Sequence, residues 1–295
     1  MEKIAVIAHR HKTLGKGLGE LRRILAERGY SDPLWYEVDK SRKATKCAQR
    51  AMKEGVDLIF AWGGDGTVQR CIQVVAGSPV NLAILPAGTA NLLANNLNIP
   101  IDLDGAVEVG LDGPCRQIDL GVINDEYFGV MAGAGFDAKM MGEADGELKD
   151  RFGRLAYVFT GARAASMQPR TMKIRVDGEK WFKGDAVCVL LGQMGMIGSG
   201  VKAFPDAVDD DGLLEVGVIT AQGVLEMAAV MARMVVGRPQ FSRFTTMTRA
   251  HTIDIRFDKP VAYELDGGTR KASRRLRVAV APGALAIRVP KESQS

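Results

Sequence analysis

Residues 58–68 have the sequence LIFAWGGDGTV, and this stretch decides the fold that we expect. Its first half is a short run of large apolar residues without polar alternation, which is typical of a strand buried in a parallel sheet. The glycines that follow permit positive φ and leave no Cβ in the way, so that backbone N–H groups can close around an anion. A helical pattern begins at Thr67, so the N-terminus of a helix would face the same anion. The stretch therefore predicts a strand, an anion-binding turn and a helix.

This turn also contains a carboxylate, Asp65. A carboxylate among phosphate-binding amides makes sense if a Mg²⁺ ion lies between it and the phosphates. We therefore predict that Gly63, Gly64, Gly66 and Thr67 contact phosphate, and that Asp65 contacts both the nucleotide and the metal.

Strands and helices alternate along the first part of the chain. Apolar runs predict strands at residues 3–8, 34–38, 58–61 and 82–85, and apolar spacing predicts helices at residues 14–28, 43–54 and 67–75. Strict alternation of this kind favours a doubly wound α/β domain with a parallel sheet. Ligands of such sheets bind at the C-terminal ends of the strands, where the turn at residues 63–67 lies.

A second strand–turn–helix unit has the sequence LPAGTANLLA at residues 85–94. Thr89 or Asn91 would cap the helix and could also face a phosphate. Two turns that end neighbouring strands would converge, which adds Gly88, Thr89 and Asn91 to the predicted nucleotide site. Lys12, which follows the first strand, could also meet the phosphates.

Strand-like stretches predominate in the second half of the chain. They lie at residues 127–132, 172–176, 186–191, 213–218, 244–248, 252–257, 261–265 and 276–280, with helical patterns at residues 155–166 and 224–236. This order predicts a second domain that is antiparallel and β-rich.

Composition narrows the class of protein. Charged residues make up 25% and hydrophobic residues 46% of the 295 residues, as in ordinary globular proteins. The formal net charge of +4 permits an anionic membrane surface or a nucleotide as partner. The start of the chain lacks a secretory h-region, and no apolar run approaches the roughly 20 residues of a membrane span. We expect a soluble or peripheral cytoplasmic protein whose four scattered cysteines are free thiols.

The motifs, taken in order, resemble a known family. The sequence GGDGT at residues 63–67 is similar to a nucleotide-binding signature of diacylglycerol-type lipid kinases, sphingosine kinases, NAD kinases and phosphofructokinases. The sequences GTAN at 88–91, NIP at 98–100, DLG at 119–121 and GAGFDA at 133–138 then resemble the bacterial diacylglycerol and sphingosine kinase group. The resemblance implies a phosphofructokinase- or NAD kinase-like N-terminal domain, residues 1–122 with a return at 286–295. It also implies an antiparallel β-sandwich domain at residues 123–285.

For function, the resemblance implies ATP-dependent phosphorylation of diacylglycerol or a related lipid, with ATP and Mg²⁺ in the cleft between the domains. Asp266, in YELDGG at residues 263–268, matches the Asp of the family's D-G-E motif and is the expected catalytic base. An Asp-Gly hairpin turn is the structural alternative for the same residues. Asp119 would support the base by hydrogen bonds, or would cap a turn. We expect no nucleic-acid partner, and a homodimer stays open.

An acidic loop, PDAVDDDGLL at residues 205–214, matches a family region that resembles a structural metal site. Asp211 and Asp209 are the expected ligands, because carboxylates on a turn suit Mg²⁺ or Ca²⁺. A solvated loop without metal is the alternative.

Two further stretches bear on the lipid. The sequence GQMGMIGSG at residues 192–200 combines methionines and glycines, as a wall beside a lipid chain could. A basic cluster could attract anionic headgroups or could simply be a solvated strand face. It consists of Arg270, Lys271, Arg274, Arg275 and Arg277.

Three departures from the family pattern leave other functions open. The sequence AHRHKTLG at residues 8–15 stands where N-P-x-[SA]-G is usual, Gly268 replaces the Glu of D-G-E, and Gln69-Arg70 stands where Asn-Glu is common. A catalytically silent lipid- or nucleotide-binding protein is therefore the alternative, and an NAD kinase is a third possibility.

Overall fold

The computed structural model describes residues 2–135, 168–197 and 201–291. The chain separates into two compact units, residues 1–118 with 283–295, and residues 119–282. The boundaries predicted from the sequence lie at residues 122 and 286. The predicted helix at residues 155–166 and part of the GAGFDA motif fall outside the described residues. No helix in the described part of the chain is long and apolar enough to cross a membrane.

The first unit contains a parallel sheet, as predicted. Its strands are β1 (Ile4–His9), β2 (Leu34–Val38), β3 (Leu58–Gly63) and β4 (Asn81–Pro86), in the order β2-β1-β3-β4, and Ile287 pairs in parallel with Leu82 at the edge. The side chains of β3 are buried at every position, because helices cover both faces of such a sheet. All the parallel strands therefore direct their C-terminal ends to one edge.

Four of the five helices of this unit lie close to predicted positions, and the helix at Leu103–Asp112 was not predicted. The five helices are α1 (Leu18–Glu27), α2 (Ala44–Lys53), α3 (Asp65–Val75), α4 (Leu92–Asn96) and α5 (Leu103–Asp112), with a 3₁₀ turn at Ser41–Lys43 before α2. The prediction that the first helix starts at residue 14 is wrong. Gly15 and Gly17 have φ of +55° and +95°, which keeps the chain in a turn until Leu18.

The second unit is antiparallel and rich in β-strands, as predicted. The elements from residue 115 onward are β5 (Cys115–Ile123), β6 (Glu126–Phe128), β7 (Met131–Ala134), β8 (Arg170–Val176), β9 (Glu179–Ala186), β10 (Cys188–Gly192), β11 (Leu214–Ile219), α6 (Gly223–Val235), a 3₁₀ turn at Pro239–Phe241, β12 (Thr245–Ala250), β13 (Thr252–Leu265) and β14 (Gly268–Arg288). The strands of the second unit lie in the order β12-β11-β10-β7-β13-β14, β8 pairs with β13, and β9 pairs with β8.

Several of these strands differ from the prediction. The two strands expected at 252–257 and 261–265 form the single strand β13, whose pairing with β14 shifts register between Arg256 and Val261. The strand expected at 127–132 is divided into β6 and β7, since the backbone between them binds a side chain described below. Strands β5 and β9 were not predicted, and β14 is much longer than the strand predicted at residues 276–280.

Candidate functional site

The two predicted glycine turns lie side by side in the first unit. Strands β3 and β4 pair up to Gly63 and Pro86, and the Ala87 N–H donates to the Gly63 carbonyl at 3.0 Å. Beyond this point the two backbones approach so closely that a Cβ on Gly88 would lie 2.4 Å from the Gly64 Cα. The convergence of the turns that the sequence predicted is therefore present.

Of the two predicted reasons for glycine in these turns, positive φ does not hold, whereas the need for a backbone without Cβ does. Gly64 has φ of −94°, and none of the glycines at 63, 64, 66 and 88 has positive φ. Glycine is required for space instead, since a Cβ on Gly63 would lie 2.5 Å from the Thr67 Oγ1. Gly66 is different, because its nearest neighbour would be the Ser41 Oγ at 3.5 Å, an ordinary contact.

Asp65 connects the two turns. It is the first residue of α3, and its Oδ1 accepts a hydrogen bond of 2.5 Å from the Leu92 N–H at the start of α4. The carboxylate thus caps the helix of the neighbouring turn, a role that the sequence did not indicate.

Asn91 fixes the second turn. Its Oδ1 accepts from the Gly88 N–H at 2.9 Å, and its Nδ2 donates to the carbonyls of Gly88 at 3.0 Å and Pro86 at 3.2 Å. Asn91 is the N-cap residue of α4, as one of the two predicted alternatives required, but its side chain makes no capping bond to the helix. Thr89 is exposed on the same turn.

Lys12 lies at the same edge of the sheet. Its carbonyl accepts a 3.0 Å hydrogen bond from the Nε1–H of Trp62, a fully buried residue at the end of β3. Burial lowers the pKa of His9, and the nearby charge of Lys12 lowers it further. The loop after β1 therefore brings positive charge to the end of the parallel strands.

This arrangement can bind phosphate. The N-terminus of α3 carries a partial positive charge, and the tight turns present backbone without side chains around it. Thr67 is buried, and its Oγ1 lies 3.2 Å from the Oγ of Ser41, a residue that the sequence did not single out. Carboxylate oxygens are ligands that Mg²⁺ prefers. The side chain of Asp65 could therefore bind a Mg²⁺ ion that is coordinated by the phosphates of a nucleotide.

Asp266 lies in the second unit, at the hairpin between β13 and β14. Asp266 and Gly267 have φ of +44° and +76°, as in a two-residue turn of the primed type. The side chain is not left in solvent. Its Oδ2 accepts from the Gly129 N–H at 2.8 Å, and its Oδ1 accepts from the N–H groups of Val130 and Met131 at 2.9 and 3.0 Å. Asp266 therefore forms the Asp-Gly hairpin turn, and its carboxylate is also fixed by three backbone amides.

The environment of Asp266 tunes its acidity. The residue is 7% exposed, and burial raises the pKa of its carboxyl, although the three amides and the charge of Arg270 oppose the rise. Arg270 is itself fixed, since its Nε donates to the Glu126 Oε2 at 2.7 Å. A carboxyl with a raised pKa and fixed geometry is suited to accept a proton.

Asp119 fixes the acidic loop from the start of the second unit. It is 2% exposed, its Oδ2 accepts from the Gly212 N–H at 2.7 Å, and its N–H donates to the Asp209 carbonyl at 2.7 Å. Arg249 holds the loop from the other side, with its Nε 2.6 Å from the Glu215 Oε1 and its Nη1 3.8 Å from the Asp211 Oδ2.

The fit of this loop to a metal ion is poor. Within the described residues, no group of three or more His, Cys, Asp and Glu side chains is placed to hold a metal. Both carboxylate oxygens of Asp211 have other partners, because Oδ1 accepts from the Leu213 N–H at 3.0 Å and Oδ2 faces Arg249. The assignment of Asp209 and Asp211 as metal ligands remains a prediction.

The stretch at residues 192–197 packs against Phe204. A Cβ on Gly192 would lie 2.3 Å from the ring of Phe204, and a Cβ on Gly195 would lie 2.7 Å from its carbonyl oxygen. Met194 is 4% exposed. Core packing therefore explains these glycines, while residues 198–200 lie outside the described part of the chain.

Two protein-family models match this chain. Residues 3–123 match the diacylglycerol kinase catalytic domain, and residues 130–289 match the YegS C-terminal NAD kinase beta sandwich-like domain. The chain belongs to the diacylglycerol kinase and YegS-like lipid kinase family. The expected family and fold class are thereby confirmed.

Individual members of the lipid kinase family are similar over most of the chain. A Pseudomonas fluorescens protein named "Probable lipid kinase YegS-like" is 29% identical over 85% of this chain and 83% of its own length. The diacylglycerol kinase of Staphylococcus aureus is 32% identical over 66% of this chain, and the match spans 63% of that protein.

Solved structures show the same fold at lower identity. A diacylglycerol kinase from Bacillus anthracis superposes with a TM-score of 0.80 at 23% identity, over 98% of this chain and 97% of that one. An NAD kinase from Archaeoglobus fulgidus in complex with ATP superposes with a TM-score of 0.57 at 12% identity, over 98% of this chain and 94% of that one.

Proposed function

We propose that this member of the lipid kinase family transfers the γ-phosphoryl group of ATP to the hydroxyl group of diacylglycerol or a closely related lipid. The observation that carries the proposal is the carboxylate of Asp266, which is buried, oriented by three backbone amides and given a raised pKa. An Asp-Gly hairpin turn forms without a buried and oriented carboxylate. A general base that deprotonates an alcohol, in contrast, requires a carboxylate with a fixed orientation and a raised pKa.

The paired glycine turns are the proposed phosphate site. Backbone amides at the start of α3, with Gly63, Gly64, Gly66 and Gly88 around them, would contact the phosphates. Thr67, Thr89 and Lys12 would add a hydroxyl at each turn and a positive charge, while Asn91 keeps the second turn in place. Asp65 would hold Mg²⁺ against the phosphates, and that ion would supply neutralisation of charge in the transition state.

The reaction follows from these groups. Asp266 accepts the proton of the lipid hydroxyl as the oxygen forms its bond to the γ-phosphorus. The bond from the γ-phosphorus to the bridging oxygen breaks, and ADP leaves with the electron pair. Asp119 positions the acidic loop of the same unit. We further propose that the protein acts at the inner face of the cytoplasmic membrane, where such a lipid is found.

The experiment is incubation of the purified protein with γ-labelled ATP and phosphatidylcholine vesicles that contain diacylglycerol, with the product identified by mass spectrometry. The proposal predicts labelled phosphatidic acid. Label in NADP, when NAD is the acceptor, would instead indicate an NAD kinase, whose fold is similar.

A catalytically silent binding protein is the second candidate, because Gly268 stands where the family has a carboxylate. Tight ATP binding without label in any lipid of a panel would favour it.

A further inference from the structure

One face of the second unit is unusually basic. It is formed by neighbouring strands in the order β9-β8-β13-β14, and we call it the basic sheet face. The register of these strands shows which side chains share it, since directly opposed residues of antiparallel strands point to the same side.

The first row across this face contains three cations. Lys180 of β9 is opposite Arg175 of β8, Arg175 is opposite Asp254 of β13, and Asp254 is opposite Arg277 of β14. The three basic residues are exposed.

The second row lies two residues further along and is entirely basic. Lys183 is opposite Lys173, Lys173 is opposite Arg256, and Arg256 is opposite Arg275. The intervening residues Ile174, Ile255 and Leu276 are buried in the core, which confirms that the two rows occupy the outer side of the sheet. Like charges directly opposite one another destabilise a sheet. This row therefore lowers the stability of the folded protein, and a negatively charged partner would reduce the repulsion.

Asp254 compensates for only part of this charge. Its carboxylate accepts from Arg275 Nε at 2.9 Å and from Arg256 Nε at 3.2 Å. Partial burial opposes ionisation, but these two guanidinium groups hold the pKa of Asp254 below its usual value. The lysines at 173, 180 and 183 and the arginines at 175 and 277 lie outside this carboxylate's hydrogen bonds.

A cavity adds an apolar element to the face. A register shift between Ile174 and Arg175 in the β8–β9 pairing makes Trp181 the extra residue of a bulge. Trp181 and the basic residues around it line a cavity of about 350 Å³. Trp181 is half-buried and also packs against the core of the unit, so the cations rather than the tryptophan dominate this face.

We propose that the basic sheet face docks the protein on a lipid bilayer that contains anionic phospholipids. The proposal rests on the proposed function, because a lipid substrate has to be reached in its bilayer. Charge complementarity is the argument for this occupant: the two rows hold seven cations and one carboxylate across four strands, and this excess of positive charge matches an extended array of phosphates. The cluster inferred from the sequence is corrected in two ways. Arg270 does not belong to it, since its side chain is 13% exposed and bound to Glu126, and the lysines of β8 and β9 do.

The test is sedimentation of the full-length protein with two kinds of vesicle, phosphatidylcholine alone and phosphatidylcholine with phosphatidylserine. The variant is Lys173→Gln/Lys180→Gln/Lys183→Gln, which removes exposed charges and leaves the bonds of Asp254 in place. The matched control is Lys46→Gln/Lys53→Gln/Lys291→Gln, which removes three exposed charges elsewhere in the chain.

We expect the wild type and the control to bind the anionic vesicles, and the variant to bind them about a hundredfold more weakly. Added salt should weaken wild-type binding. Equal binding by all three proteins, equal loss in variant and control, or release of the wild type by inorganic phosphate at the concentration of lipid phosphate would overturn the proposal.

Kinase activity on diacylglycerol in detergent micelles separates this proposal from the proposed function. The lysine variant should keep wild-type activity there. Binding that depends on these lysines without any lipid phosphorylation would contradict only the proposed function. Phosphorylation with vesicle binding that does not depend on them would contradict only the docking surface.

Discussion

Gly88 lies against Gly64, so that a Cβ on Gly88 would come within 2.4 Å of the Gly64 Cα. The neighbouring atom is backbone and cannot rotate away, in contrast to the end of a flexible side chain. The two turns can therefore keep their positions only while both residues lack a side chain. This contact joins the ends of β3 and β4 and gives the proposed phosphate site its shape.

Gly88→Ala should disrupt this contact. We expect a loss of about 2 kcal/mol in the free energy of unfolding, typical of overpacking without relief, together with much weaker ATP binding. The matched control is Gly19→Ala in α1, outside the proposed phosphate site, whose Cβ would have no neighbour within 4 Å. Thermal unfolding and ATP titration measure both effects. Equal behaviour of the two variants would show that the close approach does not matter.

Asn91 allows the strain of its backbone to be separated from the bonds of its side chain. Asn91→Gly removes three hydrogen bonds but tolerates φ of +45°, while Asn91→Ala removes the same bonds and adds strain. We expect both variants to raise the KM for ATP, and Asn91→Ala to be less stable than Asn91→Gly by about 1 kcal/mol. An unchanged KM for ATP in both variants would show that the hydrogen bonds of Asn91 are not needed to shape the ATP-binding turn.

The pH dependence of kcat/KM should report Asp266. Only the ionised carboxylate can accept a proton, and burial raises its pKa, so activity should increase with pH through a value above that of an ordinary carboxyl. Thermal unfolding over the same pH range serves as the control for acid denaturation. An acid limb at the ordinary carboxyl value would contradict the effect of burial.

Gly268→Glu should restore a family feature that this chain lacks. The new Cβ would lie 2.8 Å from Arg270 Nη1, the end of a flexible side chain that can move. A second carboxylate would raise the pKa of Asp266 further and strengthen it as a base, so we expect a higher kcat. Gly268→Gln has the same shape without charge and should not increase kcat. An equal change in both variants would exclude a charge effect.

The sequence predicts the parallel sheet and the glycine turns well, because both follow from local patterns. Buried parallel strands are continuous apolar runs, as in β3. The two turns are recognisable from their glycine-containing sequences, GGDGT and GTAN. Strand β9 was missed because its sequence has no such local pattern. Its sequence, EKWFKGDA, carries charges on the exposed basic sheet face and lacks a simple alternation, since Trp181 lies in a bulge.

The bonds that define the candidate site could not be predicted. Asp266 binds amides that precede it by 135 to 137 positions, and Asp65 caps a helix 27 positions later. Backbone amides carry no sequence signal, and Ser41 reaches Thr67 only because α2 and α3 pack on one side of the sheet. Local patterns locate such residues along the chain, while tertiary contacts decide what they touch.

The central claim is that Asp266 is the base of a lipid kinase, and Asp266→Asn tests it most directly. Asparagine tolerates the positive φ and keeps an acceptor for Val130 and Met131, so the loss of one bond from Gly129 should cost about 1 kcal/mol of stability. The measurement is the rate of label transfer from ATP to diacylglycerol, with ATP affinity determined in parallel. We predict unchanged ATP affinity and a kcat lower by about 10²–10⁴-fold. A folded Asp266→Asn protein with the wild-type rate would contradict the account.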